Sequence, residues 1–271
     1  MASNEFADIR NALVSSSKEG DAPNYTSGGV PVTDRVLTAG QLAHKLRYWA
    51  CLALCCAGAL FTFLPSIDIS VAQAFYRSDL SFVGNTPLIE ALRDIFKLIY
   101  VLSCMAALAG FVYTHKEGRK LRGLSSAQHL FLVTCLAVGP GVVTNLALKD
   151  EWGRARPREI VEFGGTKNFT PALMPSRECH RNCSFVAGEA SSMYIIFFAA
   201  AFIFTGYWFP LLGMGISAGA LAGLIRMAQG GHFLSDVVFA GIAMALTAAL
   251  TYSFFETIHP GVLERKAEGS A

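Results

Sequence analysis

The chain has 271 residues, of which 53% are hydrophobic and only 15% are charged. Soluble domains carry about 25% charged residues, so this composition excludes an ordinary soluble protein and indicates a membrane protein. The net charge is +2 and there is no extended basic tract, so nothing indicates nucleic-acid binding.

The N-terminal stretch contains acidic residues and lacks the apolar core of a secretory signal peptide. We expect residues 1–44 to form a polar cytoplasmic tail, with the amphipathic sequence LTAGQLAHKLRYW leading into the membrane. Residues 259–271 are predicted to form a second, short cytoplasmic tail.

Six apolar segments lie between these tails, in a membrane domain predicted over 45–258. Each approaches the ~20 residues that an α-helix needs to cross the bilayer core. A Gly-Pro-Gly sequence at 139–141 predicts a kink in the third segment. The predicted fold is all-α: a polytopic membrane protein with a six-transmembrane-helix bundle and an extracytoplasmic-face active site. The segments are 48–65, 95–114, 129–148, 190–209, 210–229 and 233–255.

Basic residues in the loops predict the orientation, because Lys and Arg accumulate on the cytoplasmic side. Lys45 and Arg47 precede the first segment, the basic loop HKEGRKLRG follows the second, and Arg265 and Lys266 follow the sixth. With six spans, all of these lie on one side, which is then cytoplasmic. The loops 66–94 and 149–189 and the turn 229–232 face the other side.

Two of the seven cysteines, Cys179 and Cys183, lie in the loop predicted to be outside. A disulfide is permitted in such a compartment, and we favour one between them. A metal site that includes His180 is less favoured, because three candidate ligands within five residues have no fourth nearby. The other cysteines lie in apolar runs and are expected to pack as small hydrophobic residues.

Charged residues collect at three helix ends on the predicted outer face. Lys149, Arg154 and Arg156 follow the third segment, Glu189 precedes the fourth, and Arg226, His232 and Asp236 flank the turn between the fifth and sixth. Ionisable residues at the edge of a membrane are costly, so a functional role is the default interpretation.

The residue types in this cluster suit phosphoryl transfer. His232 and Asp236 are four residues apart, so on a helix they share one face, and a carboxylate beside an imidazole fixes its tautomer. Lysine and arginine side chains can bind the oxygens over which the charge of a transferring phosphoryl group is spread.

Each of these charged groups could have a structural role in place of a functional one. Basic residues at helix ends often snorkel or pair with acids, and Ser184 or Glu189 could simply cap a helix. The loop 149–189 holds seven basic and six acidic residues, so it creates no strong net field. The three groups together favour function more than any one of them does.

The spacing K-x6-R-P (Lys149, Arg156, Pro157), followed by R-x5-H-x3-D (Arg226, His232, Asp236), resembles the type 2 phosphatidic acid phosphatase superfamily. These are membrane lipid phosphatases related in their core to vanadium haloperoxidases, and the resemblance covers roughly 45–258. It implies that His232 attacks phosphorus to form a phosphohistidine, that Asp236 orients it, and that Lys149, Arg156 and Arg226 clamp the phosphoryl oxygens. No metal or cofactor is implied.

The middle motif of that family, usually P-S-G-H, differs here. Val186, Ala187, Gly188 and Glu189 occupy its positions, so a carboxyl group replaces the histidine that protonates the leaving group. Ala187 and Gly188 occupy phosphate-binding positions, with Ser184 and Arg154 as secondary candidates. The Cys-Ser-Phe-Val-x-Gly-Glu form of this motif resembles bacterial lipid A 4′-phosphatases.

The sequence therefore predicts a phosphatase that hydrolyses the phosphate monoester of a membrane lipid. Lipid A, phosphatidylglycerophosphate, phosphatidic acid and polyprenyl diphosphate are the candidate substrates, and no protein partner is evident. A lipid phosphotransferase and a catalytically degenerate phospholipid-binding protein are the alternatives. We expect a multi-pass protein of the bacterial inner membrane, with its active site facing the periplasm.

Overall fold

A computed structural model of the chain describes residues 37–264; the predicted tail residues 1–36 and 265–271 lie outside the described residues. Between 37 and 264 the chain is helical, and the only extended pairing is three isolated bridges. The all-α prediction is confirmed. The α-helices are α1 (Ala39–Phe63), α2 (Ser66–Gln73), α3 (Pro87–Glu117), α4 (Ser126–Leu136), α5 (Gly188–Ile203), α6 (Trp208–Ala228) and α7 (Leu234–Ile258).

The helices have the lengths and composition of a polytopic membrane bundle. Within the described part, five are long and apolar enough to cross a membrane: α1, α3, α4 with its continuation, α6 with the preceding turn, and α7. The sixth crossing is not confirmed, because α5 has 16 residues, about 24 Å of helix against a hydrocarbon core of about 30 Å. The fourth predicted segment extended to 209, but the helix ends at Ile203 and a 3₁₀ turn, Thr205–Tyr207, follows.

Helix α5 lies at the centre of the bundle, where it packs against α3, α4, α6 and α7. Small residues let α6 approach it closely. A Cβ atom on Gly215 would lie 2.8 Å from the Phe198 ring, and one on Gly219 would overlap the Tyr194 ring. The two aromatic side chains therefore fill the space that the glycines leave.

The predicted kink at 139–141 coincides with a change of helix type. Helix α4 continues without a break as a π-helical segment, Ala137–Lys149, which contains Pro140. Proline has no N–H to donate, and a π-helix accommodates this by shifting the hydrogen-bond register. Such segments are frequent at functional sites. The segment ends at Lys149, the first cation of the predicted phosphate site.

The first helix begins earlier than the predicted domain boundary at 45. Thr38 caps α1, with its side chain accepting from the Gln41 N–H and its own N–H donating to the Gln41 side chain. This reciprocal capping box satisfies two amides that would otherwise lack partners. The amphipathic lead-in is therefore the first turns of α1.

The loops that carry the predicted site residues meet at one end of the bundle. The Gly84 N–H donates to the Ala228 carbonyl at 2.8 Å, which holds the α2–α3 loop against the end of α6. The Arg158 N–H donates to the Gly230 carbonyl at 3.1 Å, which holds the loop after the π-helical segment against the α6–α7 turn. These bonds bring residues distant in sequence to a single site.

Candidate active site

His232 lies at the centre of this end, in the turn between α6 and α7, with a side chain that is fully buried. Its Nδ1 atom is 2.7 Å from the Ser184 carbonyl oxygen. A carbonyl can only accept, so Nδ1 carries the hydrogen and Nε2 presents its lone pair. Nε2 has no hydrogen-bond partner among the described residues. This is the arrangement of a nucleophile or base.

Burial keeps the imidazole ring neutral. It lowers the pKa of His232 to about 4, with the nearby Lys149 and Arg226 cations acting in the same direction and Asp236 opposing them. The ring is therefore uncharged at neutral pH, and the Nε2 lone pair is available without prior loss of a proton.

Asp236 is placed differently from the sequence-based expectation. His232 precedes α7 and does not share a helix face with Asp236, because the Asp236 carboxylate accepts from the Phe233 N–H at 2.8 Å and so caps the helix there. Its Oδ2 atom is 3.6 Å from His232 Nδ1, an electrostatic contact longer than a hydrogen bond. The nearer orienting group is the Ser184 carbonyl. Asp236 supplies the negative charge behind the ring.

The Ser184 side chain holds Asp236 in place beside His232. Its hydroxyl donates to Asp236 Oδ2, and its N–H donates to the Arg154 carbonyl at 2.9 Å. The side chain is completely buried. Its hydroxyl hydrogen is committed to the carboxylate, so its prediction as a secondary phosphate-binding residue is not supported by its position.

Arg154, the other secondary candidate, is also committed within the protein. Its Nη1 atom donates to Asp236 Oδ1 at 2.6 Å, and its Nη2 atom donates to Asp68 Oδ2 at 2.8 Å. Its Nε atom donates to the Thr170 carbonyl at 2.9 Å, and the guanidinium stacks 4.3 Å from the Phe233 ring centroid. With every nitrogen bonded and no exposed surface, Arg154 is a structural ion-pair partner.

Three predicted site residues, Lys149, Arg226 and Glu189, converge beside His232. Arg226 Nε lies 3.3 Å from Glu189 Oε1, and this ion pair identifies the partner of the carboxylate at the start of α5. Gly188 leaves room for the lysine, because a Cβ atom there would lie 2.9 Å from Lys149 Nζ. Arg226 is further fixed by donating to the Gln229 side-chain oxygen.

Arg156 approaches the same cluster from the disulfide loop. Its Nη2 atom donates to the Asn182 carbonyl at 2.7 Å and to the Asn182 side-chain oxygen at 3.1 Å. Asn182 lies between Cys179 and Cys183, whose sulfur atoms are bonded in the structure. Because these sulfurs are joined to each other, they are not metal ligands, and the loop they close helps to hold Arg156.

Ala187 lies at the start of α5 with both its side chain and its N–H in contact with the protein. Its methyl group is fully buried, and its N–H donates to the Asp236 carbonyl at 3.2 Å, which leaves neither group for a ligand. Gly188 lines the cavity directly and begins α5. Its N–H belongs to the first turn, where helix amides lack internal partners and suit an anion.

A cavity of about 340 Å³ opens between α3, the π-helical segment and α5. Its lining combines the polar groups of Lys149, Gly188 and Glu189 with the apolar side chains of Phe96 and Val101. A polar end that joins an apolar wall matches a phosphorylated lipid headgroup attached to hydrocarbon.

The charges at this site favour a dianion. Lys149, Arg156 and Arg226 carry three positive charges, Glu189 carries one negative charge, and their fields act on one another. These four side chains sum to a net charge of +2, and Asp236, paired with Arg154, lies on the Nδ1 side of the neutral His232 ring. A phosphate monoester, with a charge of nearly −2 at neutral pH, balances this net charge.

Comparison with known proteins agrees with this site. The family model described as "PAP2 superfamily" matches residues 128–260. A lipid A 4′-phosphatase of Francisella tularensis subsp. novicida is 34% identical over 212 residues, which cover 73% of this chain and 90% of the relative. The chain belongs to the PAP2 superfamily.

Two further relatives of this PAP2 protein have the same name. Lipid A 4′-phosphatases of Rhizobium etli and Rhizobium leguminosarum are 29% and 26% identical, and the matches cover 88% and 96% of their lengths. No solved structure matches the chain. The protein is a membrane lipid phosphatase, and its apolar helices and bacterial relatives identify a multi-pass bacterial membrane protein.

The sequence analysis missed three residues that organise the PAP2 site: Asp68, Asn182 and Gln229. Asn182 and Gln229 orient the guanidinium groups of Arg156 and Arg226. Of these three residues, only Asp68 could have been recognised from the sequence. A carboxylate within the apolar stretch SIDISVAQAF is costly without a buried partner.

Proposed function

We propose that this phosphatase hydrolyses the 4′-phosphate monoester of lipid A or of a closely related glycolipid. The observation that carries the proposal is the unpartnered Nε2 of the neutral His232 beside the Lys149 and Arg226 cations. The names of the three relatives, all lipid A 4′-phosphatases, support lipid A as the substrate. The apolar side of the cavity, which includes Tyr100 and Val101, supports a substrate that stays partly in the lipid phase.

In the proposed reaction, His232 Nε2 attacks phosphorus while Lys149, Arg156 and Arg226 bind the three equatorial oxygens. The phosphorus–oxygen ester bond breaks, and Glu189 gives its proton to the leaving sugar oxygen. Water then attacks the phosphohistidine, Glu189 takes a proton from it, and the phosphorus–nitrogen bond breaks to release inorganic phosphate. Positioning and electrostatic stabilisation account for most of the rate enhancement in such reactions.

The ion pair of Glu189 with Arg226 explains how a carboxyl group can act as the general acid. In the substrate-free site the arginine favours the carboxylate. A bound phosphoryl dianion competes for Arg226 and brings negative charge next to Glu189. Both effects make the carboxyl group hold a proton more readily, at the moment when the leaving oxygen needs one.

The protein is proposed to lie in the bacterial inner membrane with both termini in the cytoplasm and the active site facing the periplasm. Lys45, Arg47 and Lys116 lie at the helix ends opposite to the site, as the positive-inside rule requires. The Cys179–Cys183 disulfide at the site end suits an oxidising compartment.

Phosphate release from a panel of purified lipids in detergent tests the reaction and its substrate. We expect release from lipid A that exceeds release from phosphatidic acid, phosphatidylglycerophosphate and polyprenyl diphosphate. It should be inhibited by vanadate, which imitates the trigonal-bipyramidal transition state, and unaffected by EDTA. His232→Ala should abolish it, whereas His180→Ala, at an exposed histidine of the disulfide loop, should not.

Several results of this assay would contradict the proposal. Normal release by His232→Ala would exclude the nucleophile, and loss of activity on chelation would indicate a metal mechanism. Labelled phosphate that appears in a second lipid would indicate a phosphotransferase. Binding without release from any lipid would indicate a degenerate site.

Glu189→Gln separates general acid catalysis from helix capping. We expect hydrolysis of lipid A to slow by about 10²–10⁴-fold, since glutamine cannot transfer the proton. The first turnover of an aryl phosphate with a good leaving group, measured as a burst of phenol release, should slow much less, because its leaving oxygen needs no proton when the phosphohistidine forms. Glu162→Gln, at an exposed glutamate, is the control. Unchanged rates of Glu189→Gln on both substrates would leave Glu189 with only a structural role.

Cysteine labelling in intact cells tests the orientation, in a background whose free cysteines are replaced by alanine. Thr166→Cys, exposed in the site-side loop, should react with an impermeant maleimide. Glu117→Cys, exposed at the far end of α3, should react only after the membrane is permeabilised. The reverse pattern would place the active site in the cytoplasm and exclude a periplasmic substrate.

A further inference from the structure

A row of buried charged groups extends from His232 to α2, which carries none of the family's motifs. Asp236 lies behind the His232 ring, Arg154 bridges Asp236 and Asp68, and Asp68 lies on α2. Asp68 and Arg154 are 86 residues apart in sequence. Their side chains are 1% and 0% exposed, so the whole row is shielded from water.

Within the described residues 37–264, Asp68 accepts hydrogen bonds from Arg154 and Ser235, which both lie near His232. Its Oδ1 atom accepts from the Ser235 N–H at 2.9 Å, and its Oδ2 atom accepts from the Ser235 hydroxyl and from Arg154 Nη2. Burial raises the pKa of Asp68, while the Arg154 guanidinium opposes that shift. All three contacts come from donors, which is the arrangement of an ionised carboxylate.

The charges of this row do not cancel. Asp68 and Asp236 carry two negative charges and Arg154 one positive charge, which leaves −1 next to a neutral histidine. When Nε2 attacks phosphorus, the ring keeps its Nδ1 hydrogen and develops positive charge. Without Asp68, Arg154 would be free to neutralise Asp236 fully, and the charge that balances the ring would be lost.

We propose that Asp68 is a positioning residue for the phosphatase reaction, acting through Arg154 and Asp236 on the His232 nucleophile. By sharing the guanidinium, it preserves the negative charge of Asp236 for the transition state. By binding both polar groups of Ser235, it also holds the first turn of α7, where Asp236 lies. This inference rests on the proposed role of His232.

Asp68→Asn removes the charge while it keeps the size of the side chain. We expect kcat on lipid A to fall about 10–100-fold with KM changed less than about twofold, because Asp68 touches no substrate. Asp68→Glu, which keeps the charge, should recover most of kcat. Asp79→Asn, at an exposed aspartate bonded only to Ser81, should leave kcat unchanged.

The titration of His232 shows whether Asp68 acts through its charge or only through packing. The measurement does not depend on catalytic turnover. The titration is followed by carbon-13 NMR of histidine-labelled protein in micelles and assigned with His232→Ala. The charged groups that face the ring are Asp236, Lys149, Arg226 and Glu189. Loss of the Asp68 charge disfavours the protonated ring, so the midpoint should not rise above the one measured for the wild-type protein.

Three results would overturn the proposal: an unchanged kcat in Asp68→Asn, an equal loss in Asp68→Glu, or a midpoint that rises toward the value of about 6.5 for a hydrated histidine. The last result, or a failure of Asp68→Asn to fold, would assign Asp68 to packing. If the wild-type protein releases no phosphate from any lipid, the proposed function fails, and the NMR comparison still reports on the charge row independently.

Discussion

The hydrogen bond from His232 Nδ1 to the Ser184 carbonyl is the interaction on which the chemistry depends. It fixes one tautomer of a buried ring and leaves the Nε2 lone pair without a hydrogen-bond partner among the described residues. A carbonyl is suited to this role because it cannot take up the proton in exchange. The negative charge behind the ring then comes from Asp236, at a longer distance.

The membrane explains why so many charges are buried at one end of the bundle. A polar site at the edge of the hydrocarbon must be assembled from helix ends and loops, since charges on the lipid-facing surfaces are costly. Here the end of the π-helical segment carries Lys149, the start of α5 carries Glu189, and the α6–α7 turn carries His232. The cavity beside α3 is lined by Lys149, Gly188 and Glu189 of this site and by apolar side chains of α3.

The sequence predicts the helices well and the cluster at one end of the bundle largely correctly. Lys149, Arg156, Glu189, Arg226 and His232 come together because they lie at helix ends whose side of the membrane follows from the number of crossings. Local patterns cannot assign individual roles within the cluster. Arg154 and Arg156 are two residues apart and look alike in sequence, but one is fully paired within the protein and the other lies at the phosphate site.

Contacts between distant residues explain the remaining errors. Asp68 is held in its buried position by hydrogen bonds from Arg154 and Ser235. No spacing in the sequence relates these residues to Asp68. The early end of α5 depends on the backbone turning at Phe204, although apolar residues continue beyond it. The π-helical segment around Pro140 also has no signal in the sequence beyond Gly-Pro-Gly, which marks the place but not the helix type.

Direct detection of the covalent intermediate tests the central claim. Glu189→Gln is mixed with a radiolabelled aryl phosphate, so that phosphorylation proceeds while hydrolysis is slowed, and the reaction is quenched within milliseconds in base. The account predicts a base-stable, acid-labile label that mass spectrometry locates on Nε2 of His232, and no label when His232→Ala is added. A label on any other side chain, or a burst of phenol release with no labelled protein, would contradict it.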